Sequence, residues 1–153
     1  MANSLNEREI ELYKQFTNGQ EKYEYFFMVI AGAAMAFAVK QTSNDVLNWA
    51  KIPLGIATLL WGWSFFSGYK RRSYTLSIIY SNVELLQIIS GNHKDVGNHP
   101  QRIEAASLGI SNAINSNSKI SELWAKSQMY SFFSGMVMFV IWHIIEMASR
   151  VSV

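Results

Sequence analysis

Eighteen consecutive residues carry no charge between Lys51 and Lys70, IPLGIATLLWGWSFFSGY. That length approaches the ~20 residues a helix needs to cross a hydrocarbon core. Two further stretches behave alike: fifteen uncharged residues between Glu24 and Lys40, YFFMVIAGAAMAFAV, and nineteen between Lys126 and Glu146, SQMYSFFSGMVMFVIWHII, with a single His. The shortest of them spans only if Glu24 and Lys40 lie at the two interfaces and extend their charged ends toward water. Half of the residues are apolar and 16% are charged, yet the mean hydropathy is only +0.07, so the hydrophobicity is concentrated in these blocks. The chain therefore reads as an all-α integral membrane protein with three transmembrane helices and a cytosolic helical hairpin. Its parts are a cytosolic amphipathic helix at 1–24, two membrane helices within 25–69, a cytosolic helical domain at 70–126 and a third membrane helix at 127–147. A soluble three-helix bundle is the competing reading. It requires a polar face on each helix, and these stretches show almost none.

Aromatic residues gather near the ends of the spans, with Tyr23, Tyr25, Phe26 and Phe27 at the first, Trp49 and Tyr69 around the second, and Tyr130 and Trp142 in the third, as an interfacial belt requires. The start, MANSLNEREIELYKQF, is polar and amphipathic, unlike a secretory leader, so the first span is expected to be retained. Ten of the thirteen Lys and Arg residues precede span one or lie between spans two and three; Lys40, Lys51 and Arg150 fall on the other side. The positive-inside rule then sets the amino terminus and the long loop in the cytosol, anchored by Lys70-Arg71-Arg72 directly after span two.

Outside the spans, residues 4–17 read as a surface helix with Ser4 and Glu7 spaced as a capping box and Leu12, Tyr13 and Phe16 on one face, ended near Asn18-Gly19. Ser43, Asn44 or Asp45 is expected to cap the second membrane helix, and Pro53 falls early in it. After the basic triplet, Leu76, Ile79, Val83, Leu86 and Ser90 alternate at spacings of three and four, a heptad-like seam that calls for a partner helix. This segment is expected to continue span two as a rod from about Asp45 to Ser90, stopped by Gly91-Asn92. A second cytosolic helix begins near Gln101 with Ile103, Ala106, Ile110 and Ile114 on one face, and NSNS at 115–118 is expected to break it. Two such helices alone bury little surface. Assembly with copies of the same chain supplies the missing burial, so a homo-oligomeric bundle is expected.

Small residues at the spacing that lets helix backbones approach in lipid recur in span one, Gly32 with Ala36 and Ala34 with Ala38, and in span two at Gly55, Thr58 and Gly62. Span three carries Gln128, Ser131, Gly135, His143 and Glu146 at helical spacings. Polar atoms in a bilayer face protein or water, so Gln128, Ser131, Gly135 and His143 are candidate pore-lining positions, with an intrasubunit packing seam as the alternative. The cytosolic cations Arg71, Arg72, Lys94, His99, Arg102 and Lys119, with Asn112 from the Ser- and Asn-rich last cytosolic helix, are candidates for holding an anionic, phosphate-bearing ligand, since Arg gives bidentate contacts to phosphate and Asn can read base edges. The alternative for Lys70 to Arg72 is contact with lipid headgroups. His93, His99 and Asp95 match no standard metal spacing, and no metal or other cofactor is expected. The absence of cysteine removes thiolate sites and nucleophiles, and no Walker loop, GxSxG or HExxH signature occurs, so no enzyme is expected. A net charge of +2 gives no global attraction to long nucleic acid.

The strings KYEYFFMVIAGAAMAFAV and IPLGIATLLWGWSFFSGYKRR, with the basic triplet and the cytosolic segment behind them, resemble the layout of small bacterial multi-pass membrane effectors in antiphage defence systems that make nucleotide signals, including the Hailong type and the two-span effectors of cyclic-oligonucleotide systems. The similarity covers roughly residues 20–75, and the third span departs from the two-span pattern. It implies an oligomeric channel in the bacterial inner membrane whose opening depolarises the host and is controlled by an oligonucleotide or cyclic nucleotide at the cytosolic helices. The expected partners are thus membrane lipid, further copies of the chain and a nucleotide signal. Two other readings stand beside it: a non-conducting membrane scaffold that recruits a cytosolic partner through the Leu76–Leu86 seam, and a phage holin, whose usual topology places the amino terminus outside.

Overall fold

A computed structural model describes the backbone of residues 2–43 and 48–151, and the side chains of residues 18–19, 22–23, 25–43 and 48–149. Three long helices account for nearly all of it: α1, Ala2–Thr42; α2, Ile52–Ile89; and α3, Pro100–Val151. A short 3-10 turn, Trp49–Lys51, leads into α2. No strand occurs among the described residues, so the chain is all-α.

The helices are longer than the sequence suggests, and each difference has a local cause. Asn18-Gly19 does not end the first helix, because one glycine inside a helix costs only ~1 kcal/mol and α1 runs through it for 41 residues. The side chains of the expected capping box and of the Leu12, Tyr13 and Phe16 face lie outside the described residues. NSNS does not break α3 either. Asn117 turns its amide away from its own backbone and donates from Nδ2 to Ser77 Oγ at 3.2 Å, which removes the competition that makes Asn a poor helix residue. At its start, α2 begins at Ile52 rather than Asp45, with Asn48 extended before the 3-10 turn and making no side-chain cap. Ser43 donates its hydroxyl back to the Lys40 carbonyl at 3.0 Å, finishing α1 instead of capping α2; Asn44 and Asp45 lie outside the described residues. Pro53 sits in the first turn of α2, where its missing N–H costs no helical bond.

The stop at Gly91 is as expected. Gly91 N–H donates to the Ile88 carbonyl and Asn92 N–H to the Gln87 carbonyl, both at 3.0 Å, with Gly91 at φ +72°. This is the Schellman arrangement that satisfies the last carbonyls of a helix. After the loop, α3 opens with Pro100, and its first bond runs from Ile103 N–H to the His99 carbonyl at 3.0 Å.

The chain divides into two compact units, Met1–Phe65 with Ser131–Val153, and Phe66–Tyr130. In the first, Ala31, Ala38, Leu54, Ala57, Trp61, Phe132 and Trp142 form the buried core. Phe139 of α3 is its aromatic hub, with ring centroids 5.7 Å from Trp61, 5.4 Å from Trp142 and 6.2 Å from Phe37. Phe132 meets Phe27 edge to face at 5.0 Å. The expected close-packing residues are partly these: Ala38 is buried and Ala34 packs beside the core, whereas Ala36 and Gly55 are exposed. In the second unit the two helical segments run antiparallel, tied by Ser67 to Ser127 and Thr75 to Ser121, each 3.4 Å between hydroxyl oxygens, and by the Asn117–Ser77 bond.

Two helices are long and apolar enough to cross a membrane among the described residues: the Tyr25–Thr42 part of α1, and α3 within Pro100–Ser149. Only 11% and 22% of their apolar windows are buried, whereas the core helix of a water-soluble protein buries most of its apolar face. The corresponding part of α2 falls short of the other two in hydropathy because glycine, serine and tryptophan dilute it at Gly55, Gly62, Ser64, Ser67, Gly68, Trp61 and Trp63.

Candidate functional site

Both units bury some small polar side chains and expose many large apolar ones. In the first, Ser64 and Ser131 are buried while Leu59, Trp63, Phe133 and Val137 are exposed. In the second, Ser67 and Gln128 are buried while Tyr69, Leu76, Tyr80 and Leu86 are exposed. Small hydroxyl and amide side chains thus share the interior with the apolar core, and many bulky apolar side chains face outward.

That pattern decides where the four candidate pore residues fall. Gln128 is 4% exposed in the second unit and Ser131 7% exposed in the first. Gly135 is buried because the ring of Trp61 lies over it: a Cβ there would meet the indole Nε1 at 2.7 Å. His143 is exposed, next to Trp142 at 6.2 Å between rings. The first three thus face the chain's own interior, and His143 stands apart from them. Ser64 and Ser67 belong with the buried polar residues, and their spacing of three inside an otherwise apolar segment was the signal that could have found them.

An apolar groove of about 300 Å³ opens in the first unit, lined by Ile30, Phe37, Trp61, Phe132 and Phe139 among others. Nothing in it offers a polar ligand a partner. A second cleft, of about 370 Å³, lies beside Lys51, Thr42 and Thr58. Both threonine hydroxyls there are already donated to backbone carbonyls, Thr42 to Ala38 at 3.0 Å and Thr58 to Leu54 at 2.9 Å.

The seven candidate ligand-binding residues all belong to the second unit, and the hairpin sorts them into groups. Lys94, His99 and Arg102 sit at the turn end, all exposed. Arg71 is half-buried and Arg72 exposed near the other end of the same α2 segment, about 26 Å from Ile89 at 1.5 Å per residue. Because Thr75 faces Ser121 and Ser77 faces Asn117, Lys119 lies level with Leu76, about one helical turn from Arg72 and far from Arg102. Asn112, also exposed, lies between the two levels. One chain therefore gathers a three-residue basic tip and, separately, a basic end with Arg71 and Arg72 and, about a turn away, Lys119. Lys70 Nζ lies 5.8 Å above the Phe66 ring, a cation–π contact that keeps its charge on that side.

The tip is held by its own loop. His93 accepts the Asp95 backbone N–H at Nδ1, 3.3 Å, and points Nε2 at Glu84, 3.7 Å from the carboxylate. Gly97 N–H donates to the His93 carbonyl at 3.1 Å with Gly97 at φ +62°. With both ring nitrogens engaged, His93 does not combine with His99 and Asp95, and no metal-binding group of three occurs among the described residues.

Comparison with protein families, with curated proteins and with solved structures finds nothing that matches this chain.

Proposed function

We propose that the chain is a multi-pass protein of the bacterial inner membrane that assembles with copies of itself into a channel, an effector of antiphage defence controlled by an anionic, nucleotide-type ligand at the cytosolic Phe66–Tyr130 unit. The observation that carries the membrane part is the apolar outer surface: Leu59, Trp63, Phe133 and Val137 face outward while Ser64 and Ser131 are enclosed with the core. Water solvates such a surface poorly and lipid solvates it well. The apolar part of α2 then serves as the third crossing. It joins α1 through the short segment 43–51 and packs Leu54, Ala57 and Trp61 against Ala31 and Ala38 of α1 and Phe132 of α3. With the positive-inside rule, the amino terminus and the Phe66–Tyr130 unit lie in the cytosol. In support of a ligand, Lys94 and Arg102 stand exposed at the turn end with no carboxylate within ion-pair distance among the described residues.

A second reading, a non-conducting membrane scaffold, is favoured by one observation. Gln128, Ser131 and Gly135 are spent on contacts inside the chain, so a lumen between copies would have to be lined by other groups. Ion flux from liposomes carrying the purified protein separates the two. Leakage that appears on adding a short oligoadenylate or a cyclic dinucleotide supports the channel; no leakage in any condition favours the scaffold. Calorimetry with the same nucleotides tests the tip: an Arg102→Glu variant that binds as well as the parent would remove Arg102 from the site. Membrane insertion is checked apart from either reading, since a peripheral protein leaves the membrane at alkaline pH and this one is expected to stay.

A further inference from the structure

The seam residues Leu76, Ile79, Val83 and Leu86 stay exposed among the described residues. The α2 segment of the second unit is tied to α3 through Thr75 and Ser77, and its Ile78, Leu85 and Ile88 are partly or fully buried, whereas the seam residues, with Tyr80 and Ile89, are each between 42% and 72% exposed. We infer that this face of α2 is the interface through which copies of the chain pair side by side, helix to helix and in parallel. The inference rests on the membrane-embedded, self-assembling reading above and adds to it the surface and the register.

Three features favour a second copy as the occupant. Spacings of three and four repeat from Leu76 to Ser90, and two identical parallel helices bring such positions face to face in successive layers. The stripe is free of charge: between Arg72 and the end of α2 the single ionisable acid is Glu84, half-buried and directed at His93, so nothing on the face repels its own image or selects a charged partner. A helix that lies on an anionic membrane surface carries Lys and Arg along its rims, and α2 has none between Arg72 and Ile89. The six apolar side chains together expose on the order of 600 Å² per copy, at the low end of the ~600–1,000 Å² per partner of a stable interface. Copies inserted in one membrane share an orientation, which makes the pairing parallel and sets Leu76 against Leu76 around an axis normal to the bilayer.

The chain has no cysteine, so single introduced thiols report without background. Leu76→Cys, Val83→Cys and, as a control on the polar outer face of α3, Asn115→Cys are oxidised with copper phenanthroline in native membranes. Covalent dimer from both seam variants and not from the control is the expected result. Dimer from Val83→Cys alone means antiparallel helices, which pair Leu76 with Ser90 and overturn the parallel register. No dimer from either seam variant, with the full-length protein still oligomeric by light scattering in detergent, overturns the seam while leaving the membrane reading intact. A Leu76→Glu/Val83→Glu variant that keeps its helical circular dichroism is expected to lose most of the oligomer; an unchanged oligomer overturns the inference independently of oxidation.

Discussion

Gly135 lies beneath the indole of Trp61. A Cβ at position 135 would stand 2.7 Å from Nε1, 2.8 Å from Cδ1 and 3.3 Å from the Ala57 carbonyl. The ring is 4% exposed and its N–H finds no acceptor among the described residues, so it is held there by shape, with Phe139 against it. Gly135→Ala is expected to destabilise the Met1–Phe65 and Ser131–Val153 unit by about 1–3 kcal/mol, the usual cost of overpacking. Denaturation in detergent followed by helicity measures it. Pairing the change with Trp61→Phe should recover part of the loss, and an additive pair would refute steric coupling.

Two glycines should respond to alanine with opposite signs. Gly91, at φ +72° and with Asn98 Oδ1 2.9 Å from the place of a Cβ, is expected to lose about 1 kcal/mol or more on Gly91→Ala. Gly109, inside α3 with nothing within 4 Å, should gain about 0.5–1 kcal/mol on Gly109→Ala. Thermal melts of the two variants in one detergent decide the matter; equal signs would contradict the helix ends described above.

The antiparallel register of the second unit depends on short polar ties. Removing the Asn117–Ser77 bond by Asn117→Ala should cost about 0.5–1.5 kcal/mol, and the double change with Ser77→Ala little more than the larger single one. A double-mutant cycle giving no coupling would show that the 3.2 Å contact does not form in the folded protein.

Glu122 and Lys126 form an exposed pair at 2.6 Å on α3. The Lys126 hydrogen bond and charge hold the Glu122 carboxyl below its ordinary value, and Glu122 raises Lys126 in return. The carboxylate's contribution is therefore present above the ordinary Glu range and lost as pH falls through the lowered value. That of Lys126 is present below the ordinary Lys range and lost as pH rises through the raised value. Both ends are fully solvated, so the effect is small and weakens with salt. Carbon-detected NMR titration of Glu122 should show its midpoint return to the ordinary range in Lys126→Met; an unmoved midpoint would refute the pairing.

Several features were legible from residue types alone because they depend on local backbone chemistry. Gly91-Asn92 stopped α2 where the left-handed residue was expected, and Pro100 opened α3 one residue before the predicted start. Other breaks were misread for the same reason in reverse. Asn18-Gly19 and NSNS look like interruptions one residue at a time, but long-range bonds such as Asn117 to Ser77 and the length of the surrounding helix outweigh them. The seven ligand candidates were chosen by residue type, which does not reveal that Arg72 and Lys119 lie within about a turn of each other along the hairpin and Arg102 far from both.

Composition and order along the chain determined that this protein is helical, that its apolar residues come in blocks, and that polar side chains interrupt those blocks at Ser64, Ser67, Gln128 and Ser131. Only the tertiary structure decided which way those side chains point. A helix presents every direction within two turns, and the selection among them is made by what the neighbouring helix offers: the Trp61 ring over Gly135, or a hydroxyl opposite Ser67.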